Sequence, residues 1–112
     1  DTKWCYLRKK DLMIGILKNG QYLVNIGSSH FPSSDIAIRV DKNSAISASE
    51  KNGFNNAQTI KIINELNGGK EALTRYQEWP YELNIDKKID LYGFDKALII
   101  LNHIFNNGET LN

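Results

Sequence analysis

Residues 12–26 read LMIGILKNGQYLVNI, two apolar-rich runs, Leu12 to Lys18 and Gln21 to Ile26, separated by Asn19-Gly20. An Asn-Gly pair tolerates the positive φ angles of a tight turn, so the stretch predicts a hairpin closed by a two-residue loop. Tyr22, Val24 and Ile26 alternate with Leu23 and Asn25, while Leu12, Ile14 and Ile16 share a face of the partner run. Successive strand side chains point to opposite sides, so this hairpin buries at least one face.

Working outward, Gly27 to Ser34 is rich in Gly, Ser and Pro and reads as a loop. Between Asp35 and Asp41, Ile36, Ile38 and Val40 alternate with Ala37 and Arg39, the pattern of a half-buried strand. Asp41-Lys42-Asn43 supplies a turn before the short run Ala45 to Ala48, which predicts a second hairpin, and Glu50 to Gly53 breaks the chain again. The period then changes. Phe54, Ala57, Ile60, Ile63 and Leu66 recur at helical spacing, with Asn55 or Asn56 as N-cap, Phe54 stapling the start and Asn67-Gly68-Gly69 at the end, which predicts a helix over about 54–67. Ala72 to Trp79 and Leu83 to Leu91 return to alternation, with Leu83, Ile85, Ile89 and Leu91 in phase, and are joined around Trp79-Pro80-Tyr81. After Gly93, the stripe Phe94, Ala97, Leu98, Leu101, Ile104 and Phe105 predicts a final helix over about 94–106, stopped by Asn106-Asn107-Gly108. On this reading Ile104→Asp places a charge in the core and costs several kcal/mol.

Six to seven strands and two helices without regular βαβ alternation point to an α+β fold, with a mainly antiparallel sheet or sandwich-like core flanked by helices. The 112 residues fit one domain spanning 1–112, and no repeat or linker divides them. Fourteen basic against 13 acidic residues leave a net charge of +1, and the one basic cluster, Arg8-Lys9-Lys10, is too small for a nucleic-acid footprint. The longest apolar run, Ala97 to Leu101, falls far short of the ~20 residues a spanning helix needs, so membrane insertion is not expected. Cys5 is the only cysteine, which rules out an internal disulfide and a cysteine-built zinc site and leaves it as a small hydrophobe. A chain that starts at Asp1 without Met fits either removal of a signal peptide or trimming.

Enzyme signatures are absent: there is no G-x-S-x-G elbow, no phosphate-loop lysine and no G-x-G-x-x-G. Neither histidine belongs to a motif. His103 falls on the back of the last stripe, and His30 sits in Ser28-Ser29-His30-Phe31, where a serine adjacent in sequence does not face the imidazole as in a triad. Asp35 and Asp41, and Asp86 and Asp90, bracket strands and are read as turn-binding carboxylates. Arg39 and Arg75 lie mid-strand on the face opposite the apolar one, placed for a cross-strand ion pair or for a partner's carboxylate. Tyr76, Trp79 and Tyr81 cluster near Pro80, and Trp4 and Tyr6 alternate at the start; such aromatics cover the edge of a small core or anchor an interface. The candidate partner-binding residues are therefore His30, Arg39, Arg75, Tyr76, Trp79 and Tyr81, with no catalytic residue, cofactor or metal expected.

Leu66-Asn67-Gly68-Gly69-Lys70-Glu71-Ala72-Leu73, followed by an extended segment and Ile89-Asp90-Leu91-Tyr92-Gly93-Phe94-Asp95-Lys96-Ala97-Leu98, resembles the C-terminal half of the invasion-associated locus B family. The shared pattern is a helix ending in leucine and Gly-Lys, a hairpin, then Gly-Phe opening a last helix. The opening, Trp4 through Asp11-Leu12-Met13-Ile14-Gly15, together with Ile38-Arg39-Val40-Asp41, also looks like small exported bacterial proteins of β-rich design. The resemblance implies a periplasmic or secreted β-sandwich-like protein with no enzymatic residues to transfer, although cysteine pairs are common there and this chain has Cys5 alone. The expected function is that of a non-enzymatic exported binding or accessory protein acting on another protein or the envelope. The alternative is an immunity or inhibitor protein, cytoplasmic if its toxin is, that plugs a cognate toxin or hydrolase with the loop Gly27 to Asp35.

Overall fold

The computed structural model describes residues 5–110, with side chains through residue 106. In chain order the elements are β1 (Cys5–Lys9), β2 (Leu12–Ile16), β3 (Tyr22–Ile26), β4 (Asp35–Val40), β5 (Ile46–Ser49), α1 (Asn56–Leu66), β6 (Glu71–Glu78), β7 (Leu83–Asp90) and α2 (Phe94–Thr110). All strand pairs are antiparallel and form two sheets, one ordered β1-β2-β3 and the other β5-β4-β6-β7. The fold is α+β with a sandwich-like core.

The hairpin of residues 12–26 forms with Ile16 opposite Tyr22, but its loop is longer than the two residues expected. Leu17 N–H donates to Gln21 O and Gly20 N–H to Leu17 O, both at 2.8 Å, leaving Lys18 to Gly20 as a three-residue loop. Gly20 alone takes the left-handed conformation, φ +88. Asn19 acts through its side chain instead, accepting the Gln21 amide at 3.0 Å. A turn followed by one left-handed residue closes the strands as well as two left-handed residues do. β2, central in its sheet, is buried along its whole length.

Between the sheets, Ile14, Ile16, Val24 and Ile26 face Ile36, Ile38, Val40 and Ile89, all no more than 3% exposed. Thr74 is buried among them, and its hydroxyl has no hydrogen-bond partner among the described residues. A lone buried hydroxyl is costly, so Thr74→Val, which keeps shape and strand preference, is expected to raise stability by about 1 kcal/mol in denaturant unfolding.

α1 packs against β3 and β4, and α2 against β1. Asn55 and Gln58 form a reciprocal capping box at the start of α1: Gln58 N–H donates to Asn55 Oδ1 at 2.8 Å and Asn55 N–H to Gln58 Oε1 at 3.0 Å. Asn55→Ala is expected to cost about 1 kcal/mol, read from thermal melts. The buried face of α1 is Thr59, Ile62, Ile63 and Leu66, so Ile60, placed on the core stripe by spacing alone, is 51% exposed.

In α2, Phe94, Leu98 and Leu101 are buried and Phe105 is partly so, whereas Ile104 is 53% exposed. At 3.6 residues per turn Ile104 points roughly 90° from the centre of the buried stripe, on the outward side with Ile99 and Ile100. Ile104→Asp therefore leaves its charge at the surface and not, as spacing alone suggests, in the core. Asn106-Asn107-Gly108 does not stop the helix, whose backbone continues to Thr110. Asn102 ties α2 to sheet β1-β2-β3 by donating its amide to Tyr22 Oη at 2.8 Å.

Candidate functional site

The loop of residues 27–34 runs beside the end of β6 and is fastened to it. Phe31 N–H donates to Gln77 O and Trp79 N–H to Ser29 O, both at 2.8 Å, with His30 bridged to Glu78. Gly27 begins this loop at φ +73, and the Tyr76 ring lies flat against it: a Cβ at Gly27 would stand 2.4 Å from that ring. Only glycine fits there. Ser34 closes the loop by donating its hydroxyl to Phe31 O at 2.6 Å, and Glu50 accepts the Ser33 amide at 3.0 Å.

Two rings hold the corner from beneath. His30 Nε2 is 2.6 Å from Ile26 O, and because a carbonyl only accepts, this nitrogen carries a proton. Its ring meets Tyr76 edge to face, centroids 5.6 Å apart. Burial pushes the Tyr76 phenol above its ordinary pKa, and the negative charges of Asp11 and Glu78 push it further, so it stays protonated. Above them Phe31 and Trp79 stack at a tilt, 5.5 Å apart. Trp79, Tyr81 and Leu83 are then 58%, 69% and 65% exposed within five positions of the chain. Large apolar side chains on a backbone fixed by hydrogen bonds are preorganised contact surface, which lowers the entropy cost of binding.

Three of the six candidate residues, His30, Tyr76 and Trp79, thus meet at one corner and Tyr81 follows in the adjoining turn, although Tyr76 is 5% exposed and supports the surface rather than forming part of it. Arg39 and Arg75 lie elsewhere, on the outer face of the four-stranded sheet, lining a depression of about 300 Å3 with Ala37, Ala45, Leu73 and Asp86. Arg75 makes a bidentate cross-strand pair with Asp86, Nε to Oδ1 at 2.7 Å and Nη2 to Oδ2 at 2.8 Å. Arg39 is exposed, and its guanidinium makes no hydrogen bond or ion pair among the described residues.

The hydrogen bond from Arg75 holds the Asp86 carboxyl below its ordinary value of 3.8. Because the folded-state pKa is depressed, whatever this pair contributes is present above the unfolded value and disappears as pH falls through the folded one. Arg75→Gln is expected to return the Asp86 titration, followed by carboxyl carbon chemical shift, toward 3.8, with little change in neutral-pH melting because both groups are exposed.

Of the four aspartates read as turn ligands, two act so: Asp41 accepts the Glu71 amide at 3.0 Å and Asp90 that of Tyr92 at 2.9 Å. Asp86 instead lies within β7 and pairs with Arg75, and Asp35, the first residue of β4, is exposed. His103 is exposed on α2, and half-buried Cys5 packs against the core. Trp4 and Asp1 lie outside the described residues. No cluster of three or more His, Cys, Asp or Glu side chains suited to a metal ion occurs among the described residues, nor is any helix there long and apolar enough to cross a membrane. Reading the sequence missed Phe31 and Leu83 as corner residues. Phe31 had no alternation to mark it, and Leu83 was in phase with core residues.

The architecture is that of a two-sheet α+β domain whose prominent exposed group is a braced aromatic corner. No protein-family model matches the chain, and neither a curated protein nor a solved structure matches it.

Proposed function

We propose that this chain is a non-enzymatic, exported bacterial accessory protein that binds another protein or an envelope component through the corner formed by Phe31, Trp79, Tyr81 and Leu83. The observation that carries the binding part is the exposure of three large apolar side chains on a loop pair fixed by backbone hydrogen bonds. The export part rests on the resemblance to the invasion-associated locus B family. The test uses the purified protein as bait against envelope and soluble fractions of the source organism. Wild type retains a stoichiometric partner, and the Trp79→Ala/Tyr81→Ala variant, with unchanged melting, retains at least about tenfold less. Equal recovery by both proteins removes the corner from the function. A captured toxin or hydrolase would favour the inhibitor reading, in which the pinned loop Gly27 to Asp35 is the plug.

A further inference from the structure

Among the described residues β7 is an edge strand, paired only with β6. In an antiparallel pair, alternate residues turn both backbone groups toward the partner, and those between turn them away. Leu91 N–H bonds to Lys70 O, which fixes the odd-numbered residues as facing β6. The even-numbered carbonyls of Lys88 and Asp90 accordingly face outward, and each accepts a lysine ammonium group, Lys88 from Lys10 at 2.7 Å and Asp90 from Lys9. These lysines blunt one half of the edge, a common protection against strand pairing. The other half, where Asn84 and Asp86 present their amides and carbonyls outward, has no such cover among the described residues.

We infer that this open half of β7 pairs antiparallel with β7 of a second copy, about a twofold axis at Ile85, making one continuous sheet across two chains. Charge selects both occupant and register. With Ile85 on the axis, Asn84 and Asp86 exchange backbone hydrogen bonds with Asp86 and Asn84 of the second copy, and Glu82 lies opposite Lys88. On the other face exposed Leu83 lies opposite the aliphatic stem of Lys87. An axis one residue earlier sets Asp86 against Glu82, and an axis one residue later sets Asp86 against Asp86 and Glu82 against Asp90. That later axis also pairs Asn84 with Lys88, whose carbonyl Lys10 occupies, and a further shift in that direction needs the Asp90 carbonyl held by Lys9. Lys88 also lies 3.7 Å from Glu71, an exposed pair that is cheap to rearrange. An edge-strand contact of this size gives a weak dimer that dissociates on dilution and in high salt.

Sedimentation equilibrium of the purified chain over a wide concentration range at low salt tests this. Concentration-dependent dimerisation is expected, weakened at least about tenfold by Glu82→Lys and restored by Glu82→Lys combined with Lys88→Glu. Asn84→Pro removes an outward amide that the monomer does not use, so it abolishes the dimer while leaving the circular-dichroism melt unchanged. A monomer at every concentration overturns the proposal. So does a dimer that survives both Glu82→Lys and Asn84→Pro.

Discussion

Leu101→Asp is expected to destabilise the fold by on the order of 4 kcal/mol, enough to unfold a marginal domain, whereas Ile104→Asp, less than one turn further along α2, should stay within about 0.5 kcal/mol of wild type. Leu101 is 5% exposed and packs with Phe94 and Leu98 in the core, so an aspartate there loses the leucine's contacts and puts a carboxylate among apolar groups with no partner. Ile104 is 53% exposed, so an aspartate in its place keeps its carboxylate in water. Urea unfolding of the two variants side by side checks this. Equal losses would mean that α2 is rotated about its axis relative to the packing described.

Gly27→Ala should cost about 3 kcal/mol, from two sources that a second substitution separates. A non-glycine residue at φ +73 carries roughly 1–2 kcal/mol of backbone strain, and the new Cβ, 2.4 Å from the Tyr76 ring, forces that buried ring to shift, which costs about 1–3 kcal/mol. In a Tyr76→Val background the ring is gone and only the backbone strain remains, so the loss caused by Gly27→Ala should fall to about 1–2 kcal/mol. An undiminished loss would show that Tyr76 does not rest on Gly27. The same substitution bears on function, because Gly27 and Tyr76 set the height of the loop that carries Phe31 and His30.

Alternation in Tyr22 to Ile26, Ile36 to Val40 and Ala72 to Leu91 was enough to place β3, β4, β6 and β7, because a strand between solvent and core must repeat every two residues. β2 is buried at every residue and was legible instead from its apolar run and the Asn19-Gly20 turn that follows it. Helix faces were less legible. In α1 and α2 apolar residues occupy more of the circumference than the core covers, so spacing alone could not separate Ile62 from Ile60, or Leu101 from Ile104. The Asn19-Gly20 loop was misjudged by one residue because asparagine offers two ways to stabilise a turn, through its φ angle or its side chain, and here the side chain prevailed.

Proximity in sequence also limited the reading of the candidate site. Trp79 and Tyr81 were visible as neighbours, but their pairing with the loop at Ser29 to Phe31 joins segments nearly fifty residues apart, which no local pattern announces. Tyr76 was grouped with them by sequence distance, yet strand alternation turns it inward, opposite to Arg75. The two arginines likewise shared a description but not a situation. Arg75 has Asp86 directly across the strand pair, while Arg39 stands opposite Leu73.

The most direct test of the binding account is an amide and indole nuclear magnetic resonance map of the labelled chain titrated with the partner that the purified protein captures. The account predicts that shifts concentrate at Ser29, Phe31, the Trp79 indole, Tyr81 and Leu83, with little change on the outer sheet face at Arg39. Shifts centred on Arg39 and Ala37, or on the outward isoleucines Ile99, Ile100 and Ile104 of α2, would contradict it and move the site away from the aromatic corner.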